Sequence, residues 1–150
     1  MLPSCHQNPT AVNDASPVAS LGHLYEYEGR IYKYVKFEDA VTYAAGHCCV
    51  YGDTTGYAVT NDKDQGVATS AGAGVCVRVM TQNYYGYLLV HGLWADCLGD
   101  GSVAAGDSIF SSATDGAFDT VADATVAQPM GIALEADDSS NLFDAMITCL

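Results

Sequence analysis

Residues 44–60, AAGHCCVYGDTTGYAVT, return as residues 104–120, AAGDSIFSSATDGAFDT. Ala44, Ala45, Gly46, Thr54, Gly56 and Thr60 meet Ala104, Ala105, Gly106, Thr114, Gly116 and Thr120 at one constant offset of 60. Composition alone supplies roughly one or two such matches over a window of this length. In each copy a short apolar stretch carries a glycine at either end and closes on Thr-Thr-Gly or Thr-Asp-Gly. That is the pattern of a strand entering and leaving tight turns. A Gly-led apolar run follows each copy, Gly74-Val75-Cys76-Val77 and Gly131-Ile132-Ala133-Leu134. The chain therefore reads as two related β units, about 44–90 and 104–150, inside one domain spanning 21–150.

Upstream of the first unit, Leu24-Tyr25-Glu26-Tyr27 and Arg30 to Val35 flank Glu28-Gly29, a two-residue hairpin signal. With Tyr27 opposite Arg30, Tyr25 falls opposite Tyr32, and Tyr25, Tyr27, Tyr32 and Tyr34 share one side of the ribbon. Glu26 and Lys33 lie on the other side, within diagonal reach. Residues 1–20 are polar and broken by Pro3, Pro9 and Pro17, and they read as an extended arm that a partner orders.

Downstream, short apolar runs alternate with polar turns: Val41 to Tyr43, Cys48 to Tyr51, Tyr57 to Thr60, Val75 to Met80, Tyr84 to Val90, Ser108 to Phe110, Ala117 to Val121, Gly131 to Leu134 and Leu142 to Thr148. Val75, Val77 and Val79 alternate with polar or softer residues at the period of a half-buried strand. Only Phe37 to Ala45 and Thr120 to Ala127 have helical character, and both are short. The expectation is an all-β fold, a small sandwich or barrel.

The 150 residues carry 18 acids against 5 bases, a net charge of −13. No Lys or Arg follows Arg78, so residues 79–150 hold a formal charge of −10. Such a surface repels phosphate backbones, which argues against nucleic acid as a partner. Solubility, a basic partner surface or divalent cations all suit the acidity. Met1 to Ser20 lacks the basic start and apolar core of a secretory signal, and the longest apolar stretch, Tyr84 to Ala95, is too short to span a bilayer. A soluble protein with no membrane partner is expected. The six cysteines show no repeating spacing, and reduced, mostly buried thiols are the expected state.

Catalytic patterns are sparse. Asp53-Thr54-Thr55-Gly56 approaches an aspartic-protease loop but has one residue too many, and Ala113 stands where the second copy needs an aspartate. His47-Cys48-Cys49 holds metal-capable side chains, yet neighbours in a strand point to opposite faces. The acidic loops at Asp96 to Ser102 and Asp137 to Asn141 lack EF-hand spacing. Tyr84, Tyr85, Tyr87 and Trp94 offer an alternative role as a sugar-stacking platform on a carbohydrate-binding β module. A hydrolase using Asp53, Asp96 or Asp107 is a weaker alternative. The four-tyrosine hairpin face suits core or an interface between proteins. No cofactor and no catalytic residue is expected.

Leu21-Gly22, then Glu28 to Lys36, Ala45-Gly46, Tyr87-Leu88-Leu89-Val90-x-Gly92, Ala105-Gly106-Asp107, Thr114-Asp115-Gly116 and Gly131-Ile132-Ala133-Leu134-Glu135-Ala136 form a layout over residues 21–150. It resembles that of the small head decoration, or cement, proteins of tailed bacteriophages. The resemblance implies a β-rich virion structural protein, made in the host cytoplasm, that assembles as a homotrimer on the outer surface of the capsid. There it would bind the major capsid protein and bridge neighbouring capsomers. Pro3, Pro9 and Pro17 in the arm, with Tyr25, Tyr27, Tyr32 and Tyr34, are the residues expected to contact capsid or sister subunit.

Overall fold

The computed structural model describes residues 8–38, 42–62, 72–120 and 128–149. Glu28 and Gly29 both take positive φ, 51° and 74°, the geometry that lets a two-residue turn follow strand twist. β1 (Leu24–Tyr27) and β2 (Arg30–Phe37) accordingly pair with Tyr27 opposite Arg30 and Tyr25 opposite Tyr32. β3 (Cys48–Tyr51), β4 (Ala58–Thr60), β5 (Gly72–Cys76) and β6 (Tyr85–Leu98) follow. β2 pairs with β4 in parallel and with β6 antiparallel, and the order β2-β4-β3-β5-β6 closes on itself as a 5-strand barrel. The fold is all-β, with a closed barrel and further strands.

β7 (Ser108–Ser111), β8 (Phe118–Asp119), β9 (Gly131–Ala133) and β10 (Leu142–Thr148) repeat this plan. The order β8-β7-β9-β10 reproduces β4-β3-β5-β6, and β10 pairs with the second half of β6. A parallel bridge joins Gly99 to Phe118. There the Asp100 N–H donates to the Phe118 carbonyl at 3.0 Å, as the Glu38 N–H donates to that of Val59 at 2.9 Å. β8 thus returns to the end of β6 as β4 returns to β2. β6 is both the last strand of the first unit and the first strand of the second.

The repeated residues sit where the backbone demands them. The His47 N–H donates to Ala44 at 3.2 Å, and the Asp107 N–H donates to Ala104 at 3.1 Å. Gly46 donates to Cys76 at 2.8 Å and Gly106 to Ala133 at 2.9 Å. Core positions recur at the same offset: Phe37 and Cys97, Tyr43 and Val103, and Cys49 and Ile109 are all buried. Each unit buries an edge-on aromatic pair at an interplanar angle of 83°, Phe37 with Tyr43 and Phe118 with Phe143. The correspondence of strand order takes in β2 and the second half of β6, both upstream of the repeated stretches.

Several expectations are corrected. The run read as Tyr84 to Val90 continues to Leu98, because Gly92 at φ 124° packs against Arg30 and lets the strand bend without ending. Val75 to Met80 is strand only through Cys76, and Val79 is 63% exposed. Phe37 ends β2, Thr42 to Ala45 lead into a turn, and residues 39–41 of that first helical candidate lie outside the described residues. Residues 121–127 of the second helical candidate lie outside the described residues, as does Pro3. Cys48, Cys49, Cys76 and Cys97 are buried thiols, and Cys149 is a half-buried one.

Residues 8–20 fold back on the barrel instead of extending from it. The Asn8 side chain accepts from the Thr10 N–H at 3.0 Å and starts a one-turn 3-10 helix, Pro9–Ala11, in which Pro9 is buried. Asp14 and Tyr85 exchange backbone hydrogen bonds of 2.9 and 2.8 Å. Val12 joins the cluster that holds Tyr32, Tyr34 and Tyr87. The apolar surface of those rings supplies the cover that orders this stretch without a partner.

Candidate interaction surface

β1, β2 and the first half of β6 place a chain of tyrosines on the outer side of the barrel. Ring centroids lie 6.2 Å apart for Tyr25 and Tyr27, 5.8 Å for Tyr25 and Tyr87, 5.1 Å for Tyr34 and Tyr87 and 6.5 Å for Tyr34 and Tyr85. The shared face read from the sequence is present, but its two strands are used differently. Tyr32 and Tyr34 are wholly buried, while Tyr25 and Tyr27 are half-buried against the core. The Tyr34 hydroxyl accepts from the Val18 N–H at 3.1 Å, and burial raises its pKa. The Tyr32 hydroxyl is buried with no hydrogen-bond partner. Of the expected contact residues that are described, only Tyr25, Tyr27 and the exposed Pro17 present surface to an outside partner.

Two apolar patches lie elsewhere, one on the barrel and one on the second unit. On the first, Leu21, Leu24 and Tyr57 are 38%, 50% and 41% exposed. Lys33, the cross-strand partner of Leu24, reaches beneath them to donate to the Tyr51 hydroxyl at 3.2 Å and the Gly56 carbonyl at 2.9 Å. It therefore does not meet Glu26. On the second, Leu93, Ile132 and Leu134 are about half exposed. The sequence did not single these out. In Gly131-Ile132-Ala133-Leu134 the alternation is legible, but the small residues take the interior because Gly131 packs against the Met146 backbone.

No protein-family model matches the chain, and no curated protein matches it in sequence.

The aromatics of the sugar-platform reading do not converge. Tyr85 and Trp94 are separated along β6 by about 30 Å of extended strand, and Tyr87 is buried. Trp94 instead lies under the Arg30 guanidinium, 5.7 Å from its ring centroid. The two line an open recess of about 320 Å³ with Ala45, Ala95 and Asp96.

Two of the three carboxylates of the hydrolase reading hold turns. Asp53 accepts from the Thr55 N–H at 3.1 Å, and Asp107 from the Ala104 N–H at 2.9 Å. Asp96 stands at φ 59°, and its N–H donates to Asp144 at 3.2 Å. Asp138 accepts from Ser140 and Leu142, and these two backbone donors lower its pKa. Among the described residues no three His, Cys, Asp or Glu side chains cluster as metal ligands. The Asn61 amide nitrogen donates to the Thr42 carbonyl at 3.2 Å and reaches His47 Nδ1 at 3.1 Å. With that nitrogen donating, Nδ1 accepts and the ring proton sits on Nε2. Burial lowers the His47 pKa.

Proposed function

We propose that this chain is a virion structural protein that binds the outer surface of a capsid and stabilises the head by bridging capsomers. Its partners in this reading are the major capsid protein and two further copies of itself in a homotrimer, and it performs no reaction. The observation that carries the reading is the shared strand β6, which joins the closed barrel and the further strands into one body with a separate apolar patch on each part. A bridge between neighbouring capsomers needs contact surfaces that cannot move relative to each other. Two parts hinged by a linker would transmit little strain, whereas a common strand carries it through hydrogen bonds. The acidic second half suits the outside of a DNA-filled shell, where it has no phosphate to meet.

Stabilisation follows from linkage. A protein that binds only the assembled shell lowers its free energy by about 2.7 kcal/mol per site at a hundred times Kd, and many identical sites multiply that term. The test is solution mass followed by co-sedimentation with emptied heads of the parent virus. A trimer that sediments with heads and raises their temperature of DNA release is expected. A monomer that stays in the supernatant overturns the proposal.

A further inference from the structure

The second half of β6, β10 and β9 lie side by side, and Met146 on β10 stands opposite Leu93 on one flank and Ile132 on the other. These three side chains form a row across three strands on the face turned away from the interior, where Ala133, Ala145 and Ile147 are buried. Leu134 follows directly after the end of β9. Leu93, Ile132 and Leu134 are 48%, 50% and 51% exposed. Contiguous apolar surface of this kind is scarce on free-standing proteins and marks contact sites.

The first unit shows what the same face does when it is covered. There the outer side of the sheet carries Tyr34 opposite Tyr87, and both lie buried in one cluster with Val12 of the folded-back N-terminal stretch. The second unit has the corresponding face open. Its surroundings are acidic: the Asp107 and Asp144 carbonyls accept the Ala133 and Leu134 N–H groups at 2.9 and 2.8 Å, the exposed Glu135 follows Leu134, and every Lys and Arg of the chain lies before residue 79. Two copies meeting through this face would bring like charges together, which opposes association.

We infer that the outer face of the sheet formed by the second half of β6, β10 and β9 is a protein-docking surface whose partner presents apolar side chains rimmed by lysine or arginine. Apolar centres with charged rims are the general anatomy of such contacts. The inference sharpens the function proposed above by naming the contact face, and rests on that reading only for the partner being a capsid.

The probe is a library of displayed linear peptides selected on the immobilised full-length chain. Enriched peptides should combine apolar residues with Lys or Arg, and their binding should weaken as salt is raised. Ile132→Asp or Leu134→Asp should cut affinity about tenfold or more, a loss of about 1.4 kcal/mol, while Val79→Ser, exposed and outside both apolar patches, leaves it unchanged. Circular dichroism and melting check the fold of each variant. Should the apolar substitutions unfold the chain, Glu135→Lys at its exposed position decides, with an expected loss of several-fold. No enrichment, acidic peptides, or binding indifferent to these substitutions overturns the inference. So does a native oligomer that Ile132→Asp converts to monomer, since the face would then be a self-contact. Peptide binding at this face without retention on heads would sink the capsid reading alone.

Discussion

Gly46 and Gly106 hold the same place in successive copies of one β unit, at φ 86° and 88°, yet only Gly46 is pressed against another strand. A side chain at Gly46 would run into the Asp96 carbonyl of β6, whereas at Gly106 it would meet nothing. The glycines share a backbone requirement and differ in surroundings, because the first turn abuts the second unit and the second turn faces outward.

That difference separates two otherwise equal substitutions. Gly106→Ala carries the cost of a left-handed residue with a Cβ, about 1 kcal/mol. Gly46→Ala adds a clash with backbone that cannot rotate away, and should cost about 3 kcal/mol or more. Urea unfolding midpoints of the two variants measure both terms, and equal losses would contradict the packing of the two units at Asp96.

Tyr32 and Tyr34 separate in the same manner. Tyr32→Phe removes a buried hydroxyl that has no partner, so stability should stay level or rise by up to about 1 kcal/mol. Tyr34→Phe removes the acceptor of the Val18 N–H and should lower stability by about 1 kcal/mol. It should also speed hydrogen exchange at Val18. A large loss from Tyr32→Phe would show that its hydroxyl is engaged after all.

Much of this architecture is legible in the sequence because turns constrain residue type tightly. Glu28-Gly29 set the hairpin register, and Gly46, Gly56, Gly106 and Gly116, all at positive φ, mark equivalent corners of the two units. The shared strand was hidden for a related reason. Gly92 reads as a breaker beside His91, but its open backbone serves the close approach of Arg30 and the strand runs on. Burial was harder still. Alternation places Tyr32 and Tyr34 with Tyr25 and Tyr27 on one face, and it places Ile132 and Leu134 on another. Which face is covered depends on long-range packing: Val12 lies far from Tyr87 in sequence and shares one buried cluster with it.

Acid should weaken the fold through His47. Burial holds its folded pKa below the ordinary value, so the unfolded chain takes up a proton first as pH falls. Stability from this site is complete above the unfolded pKa of about 6.5 and declines below it. Thermal melting across that range should show the decline, and His47→Gln should flatten it. An unchanged acid slope in the variant would assign the loss to carboxylates such as Asp138, whose lowered pKa acts at lower pH.

Alkali acts through the thiols. Burial, with Asp144 and Asp96 adding to it, pushes Cys97 up to about 12, and burial alone pushes Cys149 up to about 12, from an ordinary value of 9.0. Both folded-state values are raised, so their contribution is fully present below pH 9.0 and drains away as pH climbs toward about 12. Melting temperature should therefore fall through this window, and Cys97→Ala with Cys149→Ala should reduce the slope while lowering stability at neutral pH through the cavities they leave. Native protein should react slowly with a thiol reagent and denatured protein quickly, since only the thiolate attacks. Rapid native labelling of Cys97 would mean that the second unit opens to solvent far more readily than a packed interior allows.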